Sequence, residues 1–224
     1  MANKEGFVPP KNTSDLVAHL NKTIKNKKVS IYIDSANLYF ASNVAKLKID
    51  FIQFAKWFKK NCKLTGLNFY TAFNPDDPKQ LTFLKELEDE GYRIVKKPIK
   101  VFETSKKGNM DIELAVDALL QKDMYETLIL LSGDGDFSYL VQALAALGRE
   151  TIIIGIGGFT SYELHQEASD YFFLNRITSV WQKPRSRKKT TKKQPQMTNK
   201  KNTKNNTKPT NNPSQDLKIF FRYY

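Results

Sequence analysis

At 224 residues, 40% of them apolar, the chain can bury one full-size globular core with residues to spare. A single cysteine, Cys62, excludes an intramolecular disulfide and a cysteine-based zinc site, and His19 and His165 are too few for a histidine-rich metal site. No uncharged apolar run approaches the length of a membrane span, and the N-terminus lacks a signal-peptide core. A soluble, cytoplasmic protein without membrane association is therefore expected.

The formal charge of +13 is unevenly spread. Residues 1–27 carry a net of +3, residues 28–182 a net of −2, and residues 183–224, with 13 basic and 1 acidic residue, a net of +12. This distribution divides the chain into an N-terminal extension (1–27), a folded domain (28–182), a Lys/Asn/Thr-rich tail (183–216) and a short aromatic C-terminal element (217–224).

In the N-terminal extension, Ser14 to Leu20 can open a short helix capped by Thr13 or Ser14. From Lys28 the pattern becomes that of an α/β domain. Val29–Ile33 reads as a buried strand ending at Asp34, and Ile49–Lys60 has helical apolar spacing at Phe51, Ile52, Phe54, Ala55 and Phe58. Leu67–Phe73 is a second strand, stopped by Asn74-Pro75. Residues 77–90 form a helix with Leu81, Leu84 and Leu87 inward and Gly91 closing it.

Tyr92–Val95 is a third strand, Ile99–Phe102 a short edge strand, and Met110–Gln121 a helix. Thr127–Leu131 holds nothing polar after its first residue, as the centre of a parallel sheet requires. A helix over Phe137–Leu147, a strand over Thr151–Ile154 and a sixth strand near Tyr171–Phe173 follow. The fold class is α/β: a three-layer sandwich with a central, mainly parallel sheet of Rossmann-like or PIN-like type. Residues 183–216 are too polar to offset their ordering entropy, so the basic tail is expected to be disordered. Leu217–Tyr224 regains aromatic and aliphatic character and reads as a docking element for a protein partner.

In a doubly wound sheet, the loops at the carboxyl ends of the strands converge on one crevice. Asp34 ends the first strand, and Asp134 and Asp136 follow the fourth within Ser132-Gly133-Asp134-Gly135-Asp136-Phe137. Such acids repel one another, and a divalent cation relieves the repulsion. Oxygen-only donors favour Mg²⁺ or Mn²⁺ over zinc. Each acid also has a plainer use: Asp34 as the N-cap of a following helix, and the Gly133–Asp136 segment as a polar turn with Asp136 as cap. Asp111 lies in the first turn of its helix, where the helix dipole favours an anion. Asp117, about 600° of rotation further on, faces away from Asp111, and Glu113 and Asp117 share a solvated face. Lys107 can contact a phosphate or remain solvated. Ser132 can bond a ligand carboxylate or phosphate, or only shape its turn. Gly155-Ile156-Gly157-Gly158 lacks the residues of a phosphate loop, and Trp57 with the many Phe residues reads as core.

Three blocks resemble the signature of NYN domains: Ile31-Tyr32-Ile33-Asp34-Ser35-Ala36-Asn37, Lys107-Gly108-Asn109-Met110-Asp111 continuing to Asp117, and Leu131–Phe137. The similarity is to the LabA-like branch, related to PIN and FLAP nucleases, with Ala168–Phe172 as a further matching block. The resemblance implies a PIN-like fold over roughly residues 28–177. It also implies an Mg²⁺ or Mn²⁺ site from Asp34, Asp111, Asp134 and Asp136, and cleavage of RNA, with an endoribonuclease as the expected form. Asn37 matches the family's Asn after the first Asp and would orient a carboxylate, a water or the scissile phosphate.

RNA is the expected partner, through both the crevice and the basic tail, and a homodimer is left open. Two other readings compete. One is an RNA-binding or regulatory NYN module with little or no catalysis. The other, more distant, is a phosphatase of the haloacid dehalogenase type, which needs a second Asp where this chain has Ala36.

Overall fold

The computed structural model describes residues 12–101, 106–107 and 109–182. The expectations for residues 183–216 and 217–224 lie outside these described residues. Six strands form the main sheet: β1 (Lys28–Asp34), β2 (Lys63–Phe73), β3 (Arg93–Pro98), β6 (Thr127–Leu131), β7 (Glu150–Gly155) and β8 (Asp170–Phe173). Their spatial order is β3-β2-β1-β6-β7-β8, and every pairing is parallel. The chain builds outward from β1 to β3, returns to the centre, and builds outward again from β6 to β8. The direction of winding therefore reverses between β1 and β6, the place where open α/β sheets form their binding crevice.

The short element expected at Ile99–Phe102 is not a sheet edge. Lys100–Val101 (β4) pairs antiparallel with Lys106–Lys107 (β5) in a separate two-stranded ribbon. Proline ends β3 at residue 98, and the Ile99 N–H then turns back to the Phe73 carbonyl at 2.9 Å.

Seven helices, α1 (Thr13–Ile24), α2 (Ser35–Val44), α3 (Phe51–Asn61), α4 (Pro78–Asp89), α5 (Asp111–Leu120), α6 (Ser138–Ala146) and α7 (Tyr162–Glu167), cover the sheet. Period-two alternation along the strands supplies two apolar layers. Ile31, Ile33, Ile129, Leu131, Ile152 and Ile154 face one core with α1 to α4; Tyr32, Leu128, Leu130 and Ile153 face the other with α5 to α7. Each buried aliphatic side chain is worth roughly 1.5–3 kcal/mol, so this alternation dominates the choice of face. Among the described residues, no helix is long and apolar enough to cross a membrane.

Three local details differ from the sequence reading. The cap of α1 is Asn12, whose side chain accepts from the Asp15 N–H at 2.8 Å, and the helix buries Leu16, Leu20 and Ile24 against the domain. In α4 the inward row is Gln80, Leu84 and Leu87, and Leu81 is exposed. Asp77 caps α4, and this cap sets the phase that turns Gln80 inward, where its amide oxygen accepts from the Asn74 N–H at 2.6 Å. α2 is the helix for which Asp34 is a candidate cap, and α7 is an element that the sequence reading lacks. Each begins at a polar cap, Asp34 and Ser161 respectively.

Candidate metal and nucleic-acid site

Asp34 is the last residue of β1 and the N-cap of α2, and only 5% of it is exposed. Its Oδ1 accepts from the Asn37 N–H at 3.2 Å and its Oδ2 from the Ser132 hydroxyl at 2.9 Å. The capping role and the crevice position thus coincide. Burial raises the Asp34 pKa to about 6, against the two hydrogen bonds that lower it, and the Asp111 and Asp134 charges raise it further.

The loop after β6 is held from several sides. The Ser132 hydroxyl accepts from the Asp134 N–H at 3.1 Å, and Asn37 reaches across from α2 to accept from the Gly133 N–H at 2.8 Å. The cap of the single 3-10 turn Gly135–Phe137 is Asp134, whose Oδ1 accepts from the Asp136 N–H at 3.0 Å. Asp136, expected as the cap, is left exposed. The Phe159–Ser161 segment supports this loop. A Cβ on Gly133 would run into the Phe159 carbonyl oxygen, and the Ser161 N–H donates to the Gly133 carbonyl at 2.9 Å. Glycine is needed at 133 because another backbone passes against it.

Asp111 opens α5, and the preceding Asn109 fixes it. Asn109 Oδ1 accepts from the Asp111 N–H at 2.6 Å, and Asn109 Nδ2 donates to the Asp111 carboxylate. Partial burial raises the Asp111 pKa first; the Asn109 hydrogen bond lowers it, and the nearby Asp134, Asp136 and Glu113 charges raise it. No role was assigned to Asn109 from the sequence, although an Asn two residues before a helix-opening Asp is a local turn signal.

Asp111, Asp134 and Asp136 come together: one carboxylate oxygen from each lies within 4.8 Å of the others. Asp34, hydrogen-bonded to Ser132 and close enough to feel the Asp111 and Asp134 charges, is not one of these three. Glu113 is solvated as expected, with a surface partner, whereas Asp117 is not. Glu113 pairs with Lys97 at 2.9 Å, and Asp117 accepts from Arg93 at 2.7 Å and from the Tyr70 hydroxyl at 2.9 Å. The helix turns Asp117 toward β2 and β3, where those donors stand. The phosphate contact expected of Lys107 rests on a side chain outside the described residues.

A parallel doubly wound sheet, with a group of three carboxylates at its switch point, defines an α/β domain of the PIN-like, Rossmann-like type. The NYN domain family matches residues 28–175, and this chain belongs to that family. The chain is 27% identical over 164 residues to the low amplitude and bright protein LabA of Synechococcus elongatus, covering 70% of this chain and 88% of that one. It is also similar to the crystal structure of VPA0982, a protein of unknown function from Vibrio parahaemolyticus. There the TM-score is 0.61 at 28% identity, over 66% of this chain and 93% of the other. The LabA-like placement and a nuclease- or RNA-related role follow from the family.

Proposed function

We propose that this chain is a metal-dependent ribonuclease, acting as an endonuclease, that hydrolyses RNA phosphodiester bonds. The observation that carries the reading is the meeting of Asp111, Asp134 and Asp136 within 4.8 Å, from two separate segments, at the sheet's switch point. The donor set suits a hard cation: every nearby ligand atom is a carboxylate oxygen, which favours Mg²⁺ or Mn²⁺. The raised pKa values of Asp34 and Asp111 are consistent with this reading: burial is the main cause and the neighbouring acids add to it, so both carboxylates are costly to ionise without a cation beside them.

In this reading Asp111, Asp134 and Asp136 hold the cation, and Asp34 completes the set from below. A divalent cation held there would supply a water of lowered pKa and charge stabilisation at the phosphoryl oxygens. Asn37 and Ser132 keep the two acidic loops in register and present polar groups toward the phosphate. Lys107 supplies a further positive charge to the substrate. The tail, at +12, provides non-specific affinity for RNA that a domain of −2 lacks.

The test is incubation of the purified full-length protein with end-labelled single-stranded RNA in Mn²⁺, Mg²⁺ or EDTA, beside Asp34→Asn. Internal cleavage by wild type with either cation, and none in EDTA or in the variant, is expected. Tight binding without cleavage under all conditions would replace this reading with an RNA-binding, regulatory one.

A further inference from the structure

Beside the acidic group the surface opens into a groove of about 550 Å³ between α5 and α6. Asp111 and Asp136 line its mouth, so the groove starts at the acids. Its interior is apolar: Ala115 and Leu119 come from α5, and Leu140 and Ala143 from α6. Two large side chains stand at its lips in solvent, Ile112 at 77% and Tyr139 at 81% exposure, and neither belongs to a core cluster. Tyr139 sits three residues after Asp136, within one turn of the acids.

We infer that this groove is a nucleobase subsite, receiving the base of the nucleotide next to the phosphate held at the acids, with Tyr139 stacking on its face. The inference rests on the nuclease reading above. Its electrostatics decide which part of a nucleotide enters. The phosphate stays at Asp111 and Asp136, where the cation would hold it, and Glu113 is neutralised by Lys97 at 2.9 Å, so the apolar stretch lined by Ala115, Leu119, Leu140 and Ala143 is left for the uncharged part of the nucleotide, the base. A volume of about 550 Å³ falls in the range of small-ligand sites, about 300–1,000 Å³.

An exposed tyrosine over an aliphatic floor offers one aromatic face and one apolar wall, the arrangement that holds an unstacked base. Every base has a π-face, so the groove adds affinity without reading sequence. A base stacked within a duplex cannot enter, so the groove selects unpaired nucleotides.

The test uses the full-length protein and a fluorescein-labelled single-stranded RNA hexanucleotide, with a set in which each nucleotide in turn is abasic. Binding is read by anisotropy in EDTA, and cleavage is read in Mn²⁺. Tyr139→Ala is expected to weaken binding on the order of 10-fold and to raise KM with little change in kcat, whereas Tyr139→Phe preserves both. On at least one abasic hexanucleotide, wild type loses the same factor and Tyr139→Ala adds nothing. Circular dichroism melts verify that each variant folds.

Equal binding by wild type and Tyr139→Ala overturns the subsite. So does a Tyr139→Ala loss that persists in full on every abasic RNA. A changed sedimentation mass in Tyr139→Ala, with RNA binding untouched, also overturns it and makes the groove a protein–protein surface. Failure of the nuclease reading looks different: no RNA is cleaved in Mn²⁺, while a Tyr139-dependent binding step without cleavage leaves the subsite standing.

Discussion

One hydroxyl joins the two acidic loops: Ser132 donates to Asp34 Oδ2 at 2.9 Å and accepts from the Asp134 N–H at 3.1 Å. It acts on the most buried acid of the crevice, so its effect is legible in pH dependence. Ser132→Ala leaves Asp34 with the Asn37 N–H as its remaining donor of the two, and its pKa rises above the present value of about 6. One hydrogen bond to a charged group corresponds to about one pH unit. The acid limb of the cleavage pH profile should therefore move about one unit upward. A variant with the wild-type limb would show that the hydroxyl does not tune Asp34.

The same carboxylate costs stability in the metal-free protein. Its folded pKa of about 6 lies above the ordinary 3.8, so the folded state keeps a proton that the unfolded state releases. Stability is unaffected below the unfolded value, falls as pH rises from about 4 to about 6, and bears the full cost above that. That cost is on the order of 2–3 kcal/mol. Asn at 34 carries no charge and still caps a helix. In urea unfolding with EDTA, Asp34→Asn should be the more stable protein at pH 7.5, with the gain vanishing near pH 4. Coincident midpoints at pH 7.5 would refute the buried-charge account.

Two acids of α5 should separate metal binding from structure. Millimolar Mn²⁺ should raise the melting temperature of wild type, because the ion binds the folded state. Asp111→Asn should lose most of that rise at little cost to the metal-free fold. Asp117→Asn should keep the rise but cost about 1 kcal/mol, since the Tyr70 hydroxyl and Arg93 lose their shared acceptor. Loss of the Mn²⁺ response in Asp117→Asn, or its persistence in Asp111→Asn, would reverse the assignment.

Affinity and chemistry should divide between the tail and the domain. Truncation after Lys183 removes most of the +12. The slope of log affinity against log salt should flatten accordingly, while turnover on a saturating short RNA changes little. An unchanged slope would place the RNA-binding charge on the folded domain instead.

Much of the site could be read from local pattern. The β-branched runs of β1 and β6 are unambiguous strands, and a doubly wound topology sends the residues after them to one crevice. Residue order alone therefore places Asp34, Asp134 and Asp136 at that crevice. The reading went astray where side-chain direction depends on a distant partner. Glu113 and Asp117 share a helix face as spacing requires, yet Asp117 is drawn from water by Arg93 and Tyr70, on β3 and β2, while Glu113 stays partly exposed beside Lys97.

Periodicity, charge segregation and acids placed at strand ends are properties of the sequence alone, because they follow from residue order and backbone geometry. Contacts between residues far apart in the chain are not. The approach of Asp111 to Asp134 and Asp136, the hydrogen bond from Ser132 to Asp34, the Phe159–Ser161 segment that braces Gly133 and the groove beside Tyr139 all arise where separate crossovers pack together. Only the tertiary structure decides them, because each is set by the close packing of helices against the sheet rather than by any local preference.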